Sequence, residues 1–567
     1  MRRHGGQGTA LFRSVVQTCR RRRRRGKVAD STGAELSGGM LLARALGLRR
    51  LLRRHHLHAD EQHVGILLPP SVGAVVTNLA LALDRRITVN LNYTLTTELL
   101  NACLEQAGIR HVLTSRRFAE RFPFDLNAEV VYLEDLRDKP TPIDKIVAAL
   151  QAYLVPVGLL LRLLGLHRVA TDEVLTVIFT SGTTGRPKGV MLTFGNVTAN
   201  IESVDYVIDW RPSDVMIGVL PFFHSFGSTI TLWSVLARDV KAAYHVNPLE
   251  AQSVGKLCRE QRGTILTATP MFLRTYLRRC KPEDFASLEV VAAGGEKLPR
   301  ELSDAFEQRF GVRPIEGYGT TEMAPLVAAN LPIGRSRDDA TTWRKEGTVG
   351  RPVPGVQTRV IDLDTGVELE PGERGLLLVT GPGLMAGYLG QPEATAEAIR
   401  DGWYVTGDVA VVDENGVIEI VDRQSRFAKI GGEMVPHAAI EEALTALVGT
   451  DEEGGPKVVV TSVPDPTRGE RLVVLHTPLE VTPDELRRRL GVAGLPNLFI
   501  PSRDSFIPVD EFPANGSGKL DLKRIRQIAL DLRWRQSIPE DDGPLLDSPA
   551  IRQPNRCACS QPGPSSV

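Results

Sequence analysis

Aromatic side chains are scarce here: five Trp, nine Tyr and seventeen Phe make up 5% of 567 residues, so burial must come mainly from aliphatic side chains. Cysteine is scarcer still. Its six copies, at positions 19, 103, 258, 280, 557 and 559, are too few and too irregular for a disulfide framework and point to a reducing compartment. Cys557 and Cys559 form the one close pair, but in a Pro/Ser/Gly-rich tail without a nearby histidine they read as unpaired tail thiols. Charge of one sign is not in excess either. The 68 Lys and Arg balance 68 Asp and Glu, which argues against nucleic acid or an anionic membrane as the chief partner and makes any basic patch local.

Long apolar runs are also missing. Arg2 and Arg3 are not followed by the uninterrupted apolar stretch of a secretory signal, so export is not expected. Residues 154–166, LVPVGLLLRLLGL, fall short of the about 20 residues of a membrane span and are broken by Pro156 and Arg162. A buried core helix is the expectation there, with an amphipathic surface touching lipid where an apolar substrate enters as the alternative. The arginine run at 20–25 lies between an apolar pattern at 11–16 and a strand-like segment at 27–30, and is expected to be a solvated helix end or loop.

The length exceeds one hydrophobic core, so two or more domains are expected. From residue 64, VGILL, VGAVVTNLALAL, RITVNL, a helix through Leu99 and Cys103, and HVLT alternate short apolar runs with helical stretches, the rhythm of βαβ units and a parallel sheet. The rhythm returns at DVMIGVLP, TILTATP and LEVVAAGG, each running into a polar or glycine-rich turn. In such sheets the ligand sits beyond the carboxyl ends of the strands. Short strands with frequent glycines between 347 and 421 predict a β-rich subdomain. The expected class is α/β: a large N-terminal domain of parallel and mixed sheets with helices (1–421), including that subdomain; a small mobile α+β domain (422–537); and a Pro/Ser/Asp-rich tail (538–567) that is expected to be disordered.

The strongest chemical signal is TSGTTGRPKG at 180–189, between the β-branched VLTVIF and VMLTF. Small residues let backbone amides close around phosphate oxygens, hydroxyls add donors, and Lys188 adds positive charge. It is not a Walker A loop, because Pro187 stands where the second glycine is needed. Four more strings follow in order: EGYGTTE at 316–322, WYVTGD at 403–408, DRQSRFAKIGG at 422–432 and NGSGK at 515–519. Tyr318 offers a flat face on which adenine could stack, with Gly319 letting the backbone come close; a core tyrosine is the plain alternative. Glu322 is a hard oxygen ligand suited to Mg²⁺, and Thr321 can donate to a phosphate. Asp408 has two acceptor oxygens for a pair of ribose hydroxyls, against the simpler reading of a turn aspartate.

Together these strings resemble the acyl-adenylate-forming superfamily of acyl-CoA synthetases, luciferases and peptide-synthetase adenylation domains, over roughly residues 10–535. The resemblance implies an ATP- and Mg²⁺-dependent acid–thiol ligase. It assigns nucleotide binding to Thr180, Ser181, Gly182, Thr183, Thr184, Gly185 and Lys188, to Gly294, Gly295 and Glu296, to Glu316, Gly317, Tyr318, Gly319 and Thr320, and to Asp408 with Arg423. It makes Thr321 and Lys519 catalytic and Glu322 the Mg²⁺ ligand. His224, in PFFHSF, becomes a gate beside the acyl pocket, with a satisfied core histidine as the alternative. Ser425 becomes the hinge, and Gly431 and Gly432 the face that admits a pantetheine thiol. Two positions depart from the family: the hinge, commonly Asp or Lys, is Ser425, and a position that is often His is Phe194.

Within the superfamily the strings VGILLPPSVGAVVTNLALAL, RQSRFAKIGGEMV and NLFIPSRDSFIPVDEFPANGSGKLDLKRI are most similar to acyl-acyl-carrier-protein synthetases, which form the ligase part of bifunctional acylglycerophosphoethanolamine acyltransferases. That likeness implies a long-chain fatty acid as substrate and an acyl carrier protein as acceptor, with coenzyme A, which presents the same pantetheine arm, as the alternative. No H-x-x-x-x-D signature precedes the ligase part, so a stand-alone synthetase is expected, cytoplasmic with peripheral contact to the inner membrane and no nucleic-acid partner. A P-loop NTPase or kinase fails on loop spacing and lacks a DFG-type metal motif. A degenerate nucleotide-binding protein is disfavoured because Lys519, Glu322 and Asp408 are all present.

Overall fold

The computed structural model describes residues 8–180, 187–336, 344–430, 433–451, 455–465, 467–493, 495–513 and 520–536. The sequence runs VGILL, RITVNL and HVLT form the strands His63–Ile66, Ile87–Asn90 and His111–Thr114, and VGAVVTNLALAL forms the helix Val72–Leu83. Ser71 caps that helix by accepting from Ala74 N at 3.2 Å. Nearly all of the helix is buried, as a helix apolar all round must be.

These strands belong to a seven-stranded sheet in the order Gly387–Tyr388, Lys188–Thr193, Val174–Thr180, Ile87–Asn90, His63–Ile66, His111–Thr114, Glu129–Tyr132. The last five are parallel, and the first two pair antiparallel at one edge. A nine-stranded sheet runs Arg351–Pro352, Leu326–Ala329, Ile315–Gly319, Val290–Gly294, Ile265–Ala268, Val215–Gly218, Lys241–Tyr244, Gly26–Asp30, Glu35–Ser37. Its strands from Ile315–Gly319 through Gly26–Asp30 are parallel. Four of the parallel strands therefore deliver Gly319, Gly294, Thr269 and His245 to one edge, as the alternating pattern predicts.

The helix Phe194–Val207 ties this edge to the other sheet. Thr193 accepts from Asn196 N at 3.1 Å and donates its own N–H to Asn196 Oδ1 at 2.9 Å, a reciprocal cap. Asn196 Nδ2 donates to the carbonyls of Pro382 and Leu384, and Asn200 Nδ2 to those of Met323 and Leu326. Asn200 thus holds the turn that carries Glu322, and Asn196 the segment that leads to Tyr388.

The glycine-rich segment is β-rich, as expected. Its sheet runs Gln357–Ile361, Arg374–Thr380, Trp403–Val412, Ile399–Arg400, with Ile418–Arg423 on the edge of Trp403–Val412. Beyond it the strands Glu433–Pro436, Phe427–Ile430, Gly469–His476 and Val458–Asp465 form another sheet, joined by Phe506–Pro508. Its two apolar clusters, around Ile440 and Leu486 and around Val459 and Ile525, draw no residue from before Ala428.

Two sequence expectations change, and one departure from the family gains a role. Within residues 154–166 the helix is Val157–Leu163; Leu160, Leu161, Leu164 and Leu166 are buried while Leu154, Leu159 and Leu163 are exposed, so the segment is half core and half surface. The arginine run is not simply solvated. Arg20 donates to the carbonyls of Gln151, Ala152 and Val155, and buried Arg22 to those of Pro212 and Asp239, while Arg21, Arg23, Arg24 and Arg25 are exposed. Phe194, where relatives often have His, is buried with its ring 5.1 Å from that of Phe12 and serves packing. No described helix is long and apolar enough to cross a membrane.

Candidate active site

The strand Ile315–Gly319 ends in a tight approach: a Cβ on Gly319 would stand 2.4 Å from the Pro325 carbonyl, so only glycine lets the chain turn there. The turn Thr321–Met323 follows. Thr321 Oγ1 lies 3.2 Å from Ser225 Oγ, and both line a cavity of about 1820 Å³ with Tyr318, Gly294, Gly295 and His224. Among the described residues the hydroxyl of buried Thr320 has no hydrogen-bond partner, a donor left over for a ligand. Ser225 directly precedes a π-helical segment, Phe226–Trp233, a rare geometry that often marks functional sites.

Beside the cavity the charged groups form two sets of contacts. Asp408 and Arg423 are cross-strand partners, with Arg423 Nε 2.9 Å from Asp408 Oδ1, while Tyr318 donates its hydroxyl to Asp408 Oδ2. Burial pushes the Asp408 carboxyl up, opposed by Arg423 and by the Tyr318 hydrogen bond. Tyr388 donates to Glu322 Oε1 at 2.8 Å, and Lys188 Nζ lies 4.8 Å from the centroid of the Tyr388 ring. Tyr404 belongs to the apolar cluster against which Tyr318 packs; burial raises its phenol far above the ordinary range, with the charge of Glu322 and then the Tyr388 and Tyr318 phenols adding to the effect.

Away from the charged groups the cavity is walled by aromatic rings. Tyr93 packs edge-on against Phe118 at 5.1 Å and Phe223 at 4.8 Å, with Phe122 at 5.8 Å. All four line the cavity. His224 is exposed, lies on the lining and stacks at 4.5 Å on Phe223, which removes the reading of a core histidine.

Not every expected residue meets here. Glu316 turns its carboxylate to Leu298 N at 3.1 Å and lines a separate small cleft with Arg300 and Arg344; Glu296 is half-buried and off the cavity lining. Thr180 and Lys188 pair across adjacent strand ends, but Ser181, Gly182, Thr183, Thr184 and Gly185 between them lie outside the described residues, as do Gly431, Gly432, Lys519 and the tail from 538. Ser425 sits in the short turn Gln424–Arg426. Tyr388, Tyr404 and Ser225 were missed. Tyr388 reaches the site only because Gly387–Tyr388 pairs with Lys188–Thr193, a contact no local pattern announces.

A magnesium ion fits these residues. Glu322 is a buried carboxylate with one oxygen fixed by Tyr388, and no described cluster of three His, Cys, Asp or Glu side chains forms a closed metal cage. One or two protein carboxylates plus substrate phosphates is how Mg²⁺ is usually held.

A family model described as AMP-binding enzyme matches residues 15–389. The feruloyl-CoA synthase of an Amycolatopsis species is 32% identical over 366 residues, covering 63% of this chain and 70% of that protein. The long-chain-fatty-acid–CoA ligase of Bacillus subtilis (strain 168) is 30% identical over 382 residues, covering 64% and 63%. The crystal structure of ATP-bound MatB from Rhodopseudomonas palustris aligns over 92% of this chain and 99% of that one, with 25% identity and a TM-score of 0.74.

Proposed function

The chain belongs to the AMP-binding enzyme family, and we infer that it activates a long-chain fatty acid as its acyl-adenylate and transfers the acyl group to coenzyme A. What supports the chemistry is that Tyr388 links Lys188 to Glu322, and Tyr318 holds Asp408, beside one cavity lined by Tyr318 and Thr321. What supports the acid is that cavity's aromatic and aliphatic wall. Relatives named as coenzyme A ligases favour coenzyme A over the acyl carrier protein that the sequence strings suggested.

In the first half-reaction a carboxylate oxygen attacks the α-phosphorus of ATP and the bond to pyrophosphate breaks, leaving acyl-AMP. Tyr318 gives adenine a face to rest on. Asp408, held by Arg423, accepts from the ribose hydroxyls, and Thr321 and Lys188 donate to phosphate oxygens as charge builds up on them. Glu322 would hold magnesium, which when bound neutralises charge on the triphosphate. Lys519 is assigned to stabilise the attacking carboxylate and α-phosphate. In the second half-reaction the small domain, 422–537, turns about Ser425 and its Gly431–Gly432 face admits the thiol. The sulfur attacks the acyl carbon, the C–O bond to AMP breaks, and thioester and AMP leave. His224 gates the acyl cavity.

The test is ATP–pyrophosphate exchange driven by carboxylic acids of increasing chain length, followed by competition between coenzyme A and acyl carrier protein for the product acyl-AMP. Exchange that rises with chain length and thioester formed on coenzyme A are expected. Exchange with no acid of any length refutes the ligase, and transfer to carrier protein alone refutes the acceptor. Lys519→Ala should abolish adenylate formation yet spare thioester formation from supplied acyl-AMP.

A further inference from the structure

The sheet that carries Gly294 and Gly319 to the site delivers a second set of reactive side chains to the same edge. Asp30 and Tyr244 are partners on neighbouring parallel strands, so the residues that follow them, Ser31 and His245, leave that edge side by side. Ser31 Oγ lies 2.7 Å from His245 Nδ1, and His245 Nε2 lies 3.2 Å from Glu250 Oε2. All three residues line the large cavity. A hydroxyl within hydrogen-bond reach of an imidazole that is itself oriented by a carboxylate is the arrangement of an activated nucleophile.

Each member is held from outside the group. Buried Asp30 accepts from the N–H groups of Thr32 and Val72, both at 2.9 Å, and Ser31 N donates to the Tyr244 carbonyl at 3.0 Å, which fixes the turn under the serine. Glu250 stands just before the helix Ala251–Gln261, and Asn247 Nδ2 donates to its other oxygen at 3.1 Å. That hydrogen bond holds the Glu250 carboxyl below its ordinary range; burial opposes it, and the charges of His245 and Arg121 add to it. Burial lowers the pKa of the His245 ring, against the pull of Glu250, so the ring is neutral at neutral pH. A charged Glu250 then takes the Nε2 proton in its hydrogen bond, which leaves the Nδ1 lone pair facing the serine. His245 is buried while Ser31 is exposed, so the base is shielded and the nucleophile open.

We propose that Ser31, His245 and Glu250 are a second catalytic centre, one that hydrolyses thioesters of apolar carboxylic acids. Ser31 Oγ attacks the acyl carbon as its proton passes to His245 Nδ1; the C–S bond breaks, and the departing thiolate takes that proton. Water then gives a proton to His245 and attacks the acyl-serine, whose ester C–O bond breaks; the proton returns to Ser31 and the free acid leaves. The amides of Ser31, Thr32 and Gly33 already donate to Tyr244 or within the turn, so stabilising the negative acyl oxygen falls to a side chain. Arg121 lines the cavity and its charge reaches Glu250, which gives it that role. It ends the helix Arg116–Arg121 that also carries Phe118, so the aromatic wall on which the acyl chain would rest begins beside it. The centre uses no nucleotide and does not rest on the ligase reading.

The test offers decanoyl-coenzyme A to the full chain without ATP, AMP or pyrophosphate, so that a ligase can run in neither direction, and measures the decanoic acid released. Wild type should hydrolyse the thioester, and Ser31→Ala and His245→Gln should each lower the rate by about a hundredfold or more, with the same Tm in all three proteins. Because Ser31 is exposed on a turn, its truncation leaves the fold intact even if that of His245 does not. Incubating wild type with a fluorophosphonate should place one phosphonyl group on Ser31, located by mass spectrometry of the peptides, and decanoyl-coenzyme A should slow the labelling. Hydrolysis by Ser31→Ala at the wild-type rate overturns the proposal. So does a wild type that releases no acid, whether or not Ser31 is labelled, and so does active wild type whose Ser31 stays unlabelled.

Discussion

Tyr388 and Glu322, 66 residues apart, share a 2.8 Å hydrogen bond, and the tyrosine ring that makes it also lies beneath Lys188. Burial and the charge of Glu322 push the Tyr388 phenol well above its usual range, so it remains a donor at every working pH. One side chain therefore aims the carboxylate assigned to magnesium and steadies the lysine assigned to phosphate.

Removing that hydroxyl should separate aim from fold. Tyr388→Phe keeps the ring and loses one hydrogen bond to a charged group, about 1.5–3 kcal/mol. The expected result is a kcat/KM for ATP about tenfold lower or worse, recovered in part by raising magnesium. A pyrophosphate-exchange titration in magnesium checks it, and identical magnesium curves for the two proteins would contradict the role given to Glu322.

Asp408→Asn leaves Arg423 and Tyr318 facing a neutral amide. Binding of ATP should weaken roughly ten- to hundredfold, the range for one or two charge-assisted hydrogen bonds. Calorimetry with ATP and its 2′,3′-dideoxy analogue checks the ribose role: wild type should discriminate strongly between them and the variant hardly at all. Equal discrimination by both removes Asp408 from the ribose.

Glu316 predicts a pH effect on stability. Burial pushes its carboxyl from an ordinary 4.5 up to about 7, against the pull of the Leu298 amide and Lys297. The folded chain thus keeps a proton that the unfolded chain releases, and the stabilisation from this group is full below pH 4.5 and is lost as pH rises through about 7. Relative to Glu316→Gln, wild type should lose up to about 3 kcal/mol between pH 4.5 and 8. Denaturant unfolding of both proteins at pH 5 and pH 8 measures the difference; parallel pH profiles would show that the carboxyl titrates normally.

Gly319→Ala should cost about 1–3 kcal/mol, because its Cβ would meet the Pro325 carbonyl at 2.4 Å. Gly317→Ala is the control, with its nearest neighbour at 3.7 Å. Thermal unfolding should show a clear drop for the first and little change for the second.

Much of this was legible in the residues because strand and helix periods are local. VGILL, TILTATP and LEVVAAGG became parallel strands, and the last two end at Thr269 and Gly294 on the cavity wall. Asp408 and Arg423 were both singled out, though only the register of their strands makes them partners. Glu316 shows the limit: it shares the EGYGTTE string with Tyr318, yet its carboxylate serves the backbone of Leu298. Tyr388 was invisible, because its role comes from an edge pairing across two hundred residues. The exposed stripe of Ile143, Ile146, Leu150 and Leu154 was hidden for the opposite reason. Its period is that of any core-facing helix, and nothing local says which way a helix is turned.

Arg423 is the last residue of its strand, and the turn containing Ser425 starts directly after it. With the swing assigned to Ser425, Arg423 stands on the stationary side of the hinge although it falls inside the 422–537 boundary; the nucleotide would stay seated while the acyl group changes hands, and AMP would be the last tenant to leave.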